Sequence, residues 1–288
     1  PGYHNAFNPT IMDKGGEILL AARFSSTKIG IVRLNQQFQV IGRPQLLPIP
    51  SLFFPNKFGN VEDPRLVRVG DDILLVFNEM KRIQLNYRNE MRVVKLIDMG
   101  GKFAIEETRS LLPPEKYASI LRQKNWTPFN YAGQLHLGYS ITPHVILVPT
   151  LNGSTSVAET ETPNTWIWGP LRGGTPAELV DDKYLTFFHS VCFYKSPYSK
   201  QNTLLHFFFG ACLFNSEPPF EIEKISPHPI FSKKLYETRH FEPKVIVYPA
   251  GLIVREDHIL LSYGVNDHKM FIARLNKEKL LKSLKPIR

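Results

Sequence analysis

The sequence predicts an all-β protein built as a five-bladed β-propeller, and three observations predict it. Short β-branched and aromatic runs, bounded by Gly, Pro, Asp and Asn, dominate the 288 residues. Stretches with the 3.6-residue period of a helix are scarce: Leu275 to Leu284 is the best candidate and Pro114 to Arg122 a weaker one. Finally, one unit recurs, made of a proline, a short apolar strand, a polar turn and a second strand of about six residues.

In chain order the copies are Pro9-TIMDKGGEILLAARF, Pro64-RLVRVGDDILLVFNE, Pro128-FNYAGQLHLGYS, Pro176-AELVDDKYLTFFHS and Pro249-AGLIVREDHILLSYG. The anchors stand 55, 64, 48 and 73 residues apart. Each copy is followed by a further apolar segment, such as Lys28 to Leu34 or Met91 to Ile97, which leaves room for about four strands per copy. Innermost strands are expected at Leu66–Val69, around Asn130–Gln134, at Ala177–Val180 and at Gly251–Val254. A β-sandwich would account for the strands but not for the repeated proline anchor. No linker or shift of composition divides residues 1–288, so the chain reads as a single domain.

Composition narrows the function less than the fold. Hydrophobic residues at 43% and charged residues at 21% exclude a disordered chain. Lys and Arg exceed Asp and Glu, 35 to 26, giving a net charge of +9. Such a field attracts phosphates, nucleotides, nucleic acid or acidic membranes without choosing among them. The longest nearly apolar run, Leu204 to Phe214, has eleven residues and contains His206, against about 20 for a membrane span. Cys192 and Cys212 have neither CxxC nor metal-ligand spacing, which argues against a disulfide framework or structural zinc. No basic-apolar-small secretory signal is found in the sequence, which begins at Pro1 without a Met. Sequons occur at Asn125 and Asn152; because Asn125 falls among the candidate site residues below, a cytoplasmic location without N-glycosylation is expected.

In a propeller, the residues just before each anchor proline and those ending the next strand gather at one end of the central channel. Here the first set is Asn5 and Asn8, Glu62 and Asp63, Lys124 and Asn125, Arg172 to Thr175, and Tyr248. The second is Arg23, Glu79, Tyr139, His189 and Tyr263. Turns alone explain some of these, but not five copies all delivering polar groups to one funnel.

Asn60-Val-Glu-Asp-Pro-Arg65 is the sharpest segment. Asp63, flanked by Glu62 and Arg65, suits a general acid whose proton affinity its neighbours set; a turn-capping Asp paired with Arg65 explains the same letters. Lys124-Asn-Trp-Thr-Pro-Phe129 joins a cation, an amide and an aromatic ring, as in sugar-stacking sites, though Trp126 alone also suits a core. Arg172-Gly-Gly-Thr-Pro176 reads as an anion-binding loop, with glycines admitting backbone N–H groups to a phosphate and Arg172 adding charge. His189 suits a phosphate donor or a core histidine equally. Asp267 is an ordinary turn residue unless the propeller brings it to the funnel. HExxH, GxxxxGK[ST] and GxGxxG are all absent, so no metal is expected.

EDPR before an inner strand, KNWTPF one copy later, RGGTP leading to FFHS, and YPAGL with SYGVND at the end together resemble glycoside hydrolase family 130. The KNWTPF and RGGTP forms resemble most the related β-1,2-mannosyltransferase/phosphorylases of glycosyltransferase family 108. The resemblance spans about residues 3 to 275. It implies an inverting β-mannoside phosphorylase that exchanges mannose between mannose 1-phosphate and β-mannooligosaccharide acceptors, with no organic cofactor. Position by position, it makes Asp63 the general acid, Lys124 and His189 phosphate contacts with Arg92 as a further one, and Arg23 and Asp267 sugar contacts. Arg172 departs from the more glycine-rich loop of the better-known phosphorylases. Asn5, Glu62, Arg65, Asn125, Trp126, Tyr139 and Tyr263 are expected around the substrate, and Arg172 beside the phosphate.

The residue inventory agrees with that chemistry. An inverting hydrolase needs two carboxylates, one of them activating water. A phosphorylase needs the acid and a set of cations, because phosphate is already an anionic nucleophile. The rival readings are an exo-β-mannosidase or related furanosidase using Glu62, Glu79 or Asp267 as base, and a non-catalytic glycan-binding propeller. Nucleic acid is the weakest partner, because the basic residues are dispersed and carry no recognised motif.

Overall fold

Four of the five proline anchors fall within the innermost strand of a sheet and Pro176 falls in a break of one, and five such sheets stand around one axis as a five-bladed β-propeller. The computed structural model describes residues 6–24, 28–53, 60–83, 86–151, 153–163, 166–195, 203–230 and 244–287. Asn5 lies outside the described residues.

Blade one comprises Ala6–Asp13, Ile18–Phe24, Lys28–Leu34 and Val40–Leu46. Blade two comprises Val61–Val69, Asp72–Ile83, Asn86–Asp98 and Phe103–Leu111, and blade three Thr127–Tyr131, Gln134–Ile141, His144–Thr150 and Gly153–Thr160. These three are antiparallel four-stranded meanders in sequence order. The third inner strand ends earlier than the sequence suggested: Ala132 and Gly133, with φ of 49° and 76°, make the turn inside the expected Asn130–Gln134.

Blades four and five depart from four strands per copy. The inner strand of blade four is broken into Leu171–Gly173 and Glu178–Val180, both paired with Lys183–Lys195. Thr203–Asn215 and Ile222–Ile225 follow, and the late segment Lys285–Pro286 adds to the outer edge. Blade five has three strands among the described residues, Val247–Val254, His258–Val265 and Lys269–Asn276. Helix Lys277–Ser283 then starts where the Asn276 side chain accepts from the Lys279 N–H at 2.8 Å. Its Leu280, with Leu284 beyond it, joins the core between blades four and five. The second expected helix shrinks to a single 3₁₀ turn, Glu115–Tyr117.

Hydrogen bonds near the axis join neighbouring blades. Leu66 N–H donates to Thr10 Oγ1 at 3.1 Å, Ala177 N–H to the Pro128 carbonyl at 3.0 Å, and Ser262 Oγ to the Pro9 carbonyl. Apolar residues fill the wedges between blades, such as Leu19, Leu66, Leu75 and Phe77 between blades one and two. Among the described residues, no helix is long and apolar enough to cross a membrane. Cys192 and Cys212 are both free thiols.

Candidate active site

The backbone just before the anchors of blades one and two does something unusual for a residue preceding proline. Asn8 and Asp63 both adopt φ of 51°, in the left-handed region that Asn and Asp tolerate best, and the strand register slips at each. The bulge swings both side chains to the same end of the channel. Asn8 Nδ2 donates to Asp63 Oδ1 at 2.8 Å. Asn125, at φ of 66°, makes a similar reversal in blade three.

These reversals open a cavity of about 380 Å³ at the mouth of the channel. Of the residues singled out in the sequence, it is lined by Arg23, Glu62, Asp63, Lys124, Asn125, Arg172, His189 and Asp267, joined by Asn8 and Tyr248. An adjoining cavity of about 270 Å³ shares Lys124, Asn125 and Arg172 and adds Tyr139 and Ser140. A groove of about 360 Å³ between blades two and three holds charges already paired with one another, including Lys95 with Asp72 and Arg109 with Glu107.

Charge divides across the main cavity. Glu62, Asp63 and Asp267 come from blades two and five, with Arg23 closing an ion pair on Glu62 at 2.5 Å. Burial, and then the Asp63 charge beside it, push the Glu62 carboxyl up against the pull of Arg23 and Lys124. On the other side stand Lys124 and Arg172, neither of which closes an ion pair among the described residues. His189, paired in register with Arg172, is 2% exposed, with its ring parallel to Phe207 and edge-on to Tyr248. Burial first, then the positive charges of Arg172, Arg65 and Lys124, hold its imidazole well below the ordinary range, so it is neutral. Its Nδ1 is buried and has no hydrogen-bond partner.

Several expected contacts lie elsewhere, each for a physical reason. Arg65 is 1% exposed and lies under the cavity, donating to the carbonyls of Gly174 at 2.7 Å and Asp63 at 3.0 Å and to Tyr248 Oη. It braces the floor rather than facing a substrate. Tyr248 Oη in turn donates to Asn125 Oδ1 at 3.2 Å, and burial pushes the Tyr248 phenol up so that it stays protonated.

Arg92 does not line the cavity. Along Asn86–Asp98 the side chains alternate, and Tyr87 and Asn89 take the cavity face. Arg92 falls on the opposite face, bound to Glu79 at 2.6 Å and to the Pro50 carbonyl at 2.7 Å. Glu79, 0% exposed, is spent on Arg92, on Ser51 Oγ and on the Leu52 N–H, and it too is absent from the lining. Trp126 is 1% exposed in the core between blades two and three, edge-on to Tyr139. Tyr263 packs in the core between blades four and five and stacks on Phe271.

The glycines of RGGTP serve packing. A Cβ on Gly173 would come within 2.2 Å of the Asn125 carbonyl oxygen, and one on Gly174 within 2.5 Å of the Phe187 carbonyl oxygen. They let blades three and five approach the broken strand, which sets Arg172 opposite His189 in register.

Sequence reasoning missed Met80, Tyr87, Asn89, Arg122, Phe207 and Ile246. The available signal was strand length. The hairpins Asp72–Asp98 and Lys183–Asn215 contain strands of 12 and 13 residues, longer than the inner strands they pair with, and their surplus walls the cavity.

A family model described as β-1,4-mannooligosaccharide phosphorylase, glycoside hydrolase family 130, matches residues 4–286. No curated protein sequence is similar enough to count as a relative. Among solved structures, the β-1,2-mannobiose phosphorylase of Listeria innocua, bound to β-1,2-mannobiose, superposes with a TM-score of 0.64 at 16% identity, over 97% of this chain and 91% of that one. A second neighbour comes from work on glycoside hydrolases of the same family that target β-1,2 mannosidic linkages in Candida mannan; it gives 0.66 at 13% identity, over 96% and 85%. A mannose phosphorylase from Leishmania mexicana, bound to phosphate, gives 0.54 at 10% identity, over 99% and 87%. At these identities the likeness shows the fold.

Proposed function

The chain belongs to glycoside hydrolase family 130, and we propose that it is an inverting β-mannoside phosphorylase, exchanging mannose between mannose 1-phosphate and β-mannooligosaccharides, β-1,2-linked ones first. The observation that carries this reading is the division of charge within one cavity, with Asp63 on one side and Lys124, Arg172 and a neutral His189 on the other. Asp63 gives its proton to the glycosidic oxygen as the bond to the anomeric carbon breaks. A phosphate oxygen forms the new bond from the opposite face, releasing mannose 1-phosphate. Lys124 and Arg172 hold the phosphate by charge, and His189 offers a neutral donor with an unpartnered Nδ1. Arg23 and Asp267 orient the sugar. In reverse, the Asp63 carboxylate takes the proton of the acceptor hydroxyl.

The hydrolase alternative keeps Asp63 and adds a base for water. Glu79 is shut out by its bonds to Arg92 and Leu52, whereas Glu62 and Asp267 both line the cavity and are the candidates for that task. The 7% exposure of Asn125 supports a compartment without N-glycosylation, since no glycan fits there. Incubation with mannose 1-phosphate and mannose tests the reading. Oligosaccharide and free phosphate, formed in equal amounts, are the expected products. Cleavage of a β-mannoside at the same rate with and without phosphate would replace it with hydrolysis.

A further inference from the structure

Among the buried polar residues of the cavity, Asn8 is the one bonded to the general acid and has no part in the proton transfer described above. Asn8 is 4% exposed, and its one side-chain hydrogen bond among the described residues goes to Asp63. We infer that Asn8 is a positioning residue for the general acid: it occupies Oδ1 of Asp63 and so reserves Oδ2 for the proton delivered to the leaving group.

Three observations carry this. First, Asn8-Pro9 and Asp63-Pro64 are the same feature in neighbouring blades, with the same φ of 51° and the same slip of register, so the two side chains leave matching backbones and meet. Second, an amide nitrogen only donates. The carbonyl oxygen of a carboxylic acid is a better acceptor than its hydroxyl oxygen, so the N–H on Oδ1 favours the acidic proton on Oδ2. Third, Asn8 points its nitrogen at Asp63 while its own Oδ1 is buried with no partner. That oxygen lies against Gly264, where a Cβ would come within 2.1 Å of it. A residue kept only for packing would not leave a buried amide oxygen unbonded. When the proton moves to the glycosidic oxygen, the carbon–oxygen bond breaks, phosphate takes the anomeric carbon, and the charge left on Asp63 falls on a carboxylate already held by a donor.

The inference rests on the phosphorylase reading, and its test separates the two. Asn8→Gly accepts the left-handed backbone without strain, and Asn8→Asp keeps the shape while replacing the donor by an acceptor. Each variant, as the full chain, is assayed with phosphate on β-1,2-mannobiose, whose leaving group needs a proton, and on a nitrophenyl β-mannoside, whose leaving group does not. Both variants should lose roughly tenfold to hundredfold in kcat on mannobiose, with KM changed less than about threefold, and less than about threefold in kcat on the nitrophenyl substrate. Equal losses on the two substrates, or full activity of Asn8→Asp on mannobiose, would overturn the role of Asn8 and leave the phosphorylase reading standing. A wild-type chain that turns over neither substrate would remove that reading, and this inference with it.

Discussion

Arg92 and Glu79 form a buried ion pair at 2.6 Å, with side chains 4% and 1% exposed. Arg92 was expected at the phosphate and Glu79 only as a base in the hydrolase rival, and each instead satisfies the other. Breaking one partner of such a pair leaves an uncompensated buried charge, typically at a cost of about 3–5 kcal/mol. Glu79→Ala should therefore lower the denaturant midpoint sharply, while phosphate KM measured on the folded fraction stays near wild type. A large rise in phosphate KM without loss of stability would return Arg92 to the anion site.

Asp63→Asn keeps the size of the side chain and its hydrogen bonding to Asn8, so the fold should survive. Turnover should fall by about 10²–10⁴-fold, the usual share of general acid–base catalysis. Glu62→Gln and Asp267→Asn serve as comparisons. If Asp267→Asn is as damaging as Asp63→Asn, and phosphate has no effect on the rate, water is the nucleophile.

Lys124 faces the cavity with no ion-pair partner among the described residues, so its charge is available to an anion. A charge-assisted contact is worth about 1.5–3 kcal/mol. Lys124→Ala should weaken phosphate and mannose 1-phosphate use by roughly tenfold to a hundredfold, and leave the affinity for neutral mannosides much less changed. Initial-rate kinetics with each substrate varied in turn would show the split.

His144 sets a pH limit on stability. Its Nδ1 contacts the Phe220 carbonyl oxygen at 2.8 Å, and burial pulls its imidazole down to about 4 from an ordinary 6.5. Between those values the unfolded chain binds a proton that the folded chain refuses. Stability is thus fully present above about pH 6.5, falls as the pH drops towards 4, and loses no more from this group below that, roughly 3 kcal/mol in all. Buried His189 acts in the same direction. The Glu178 carboxyl, pushed up to about 7 by burial, acts in the opposite sense, so the readout is a difference: between pH 7 and pH 4.5, His144→Phe should lose less stability in urea than wild type. An equal pH dependence in His144→Phe and wild type would show that His144 is not buried in its neutral form.

Much of the molecule was legible as letters. The repeated proline followed by two apolar runs located the inner strands, because proline lacks an N–H and suits a strand that faces a channel at its edge. Asp63, Lys124 and Arg172 were legible just before a repeated proline and His189 at the end of the strand that follows one, places the repeat brings to one end of the axis, while Asp267 was legible through the family resemblance. The extra length of the two hairpins was equally present in the sequence, and it could have pointed to Tyr87 and Phe207.

What the letters left open was the direction in which each side chain points. Trp126 follows Lys124 and Asn125 directly, yet it enters the core, because the positive φ of Asn125 sends the neighbouring residues to opposite sides. Arg92 is lost to the cavity because its side chain leaves from the face opposite Tyr87 and Asn89, where Glu79 meets it. Arg65 is adjacent to the catalytic segment but is held underneath by carbonyls from two blades. By itself the sequence determined the repeat, and with it the fold and the neighbourhood of the acid. Only the tertiary structure decided which charges remain free in the cavity and which are spent, since burial forces every ionic group to find a partner and those partners come from distant parts of the chain.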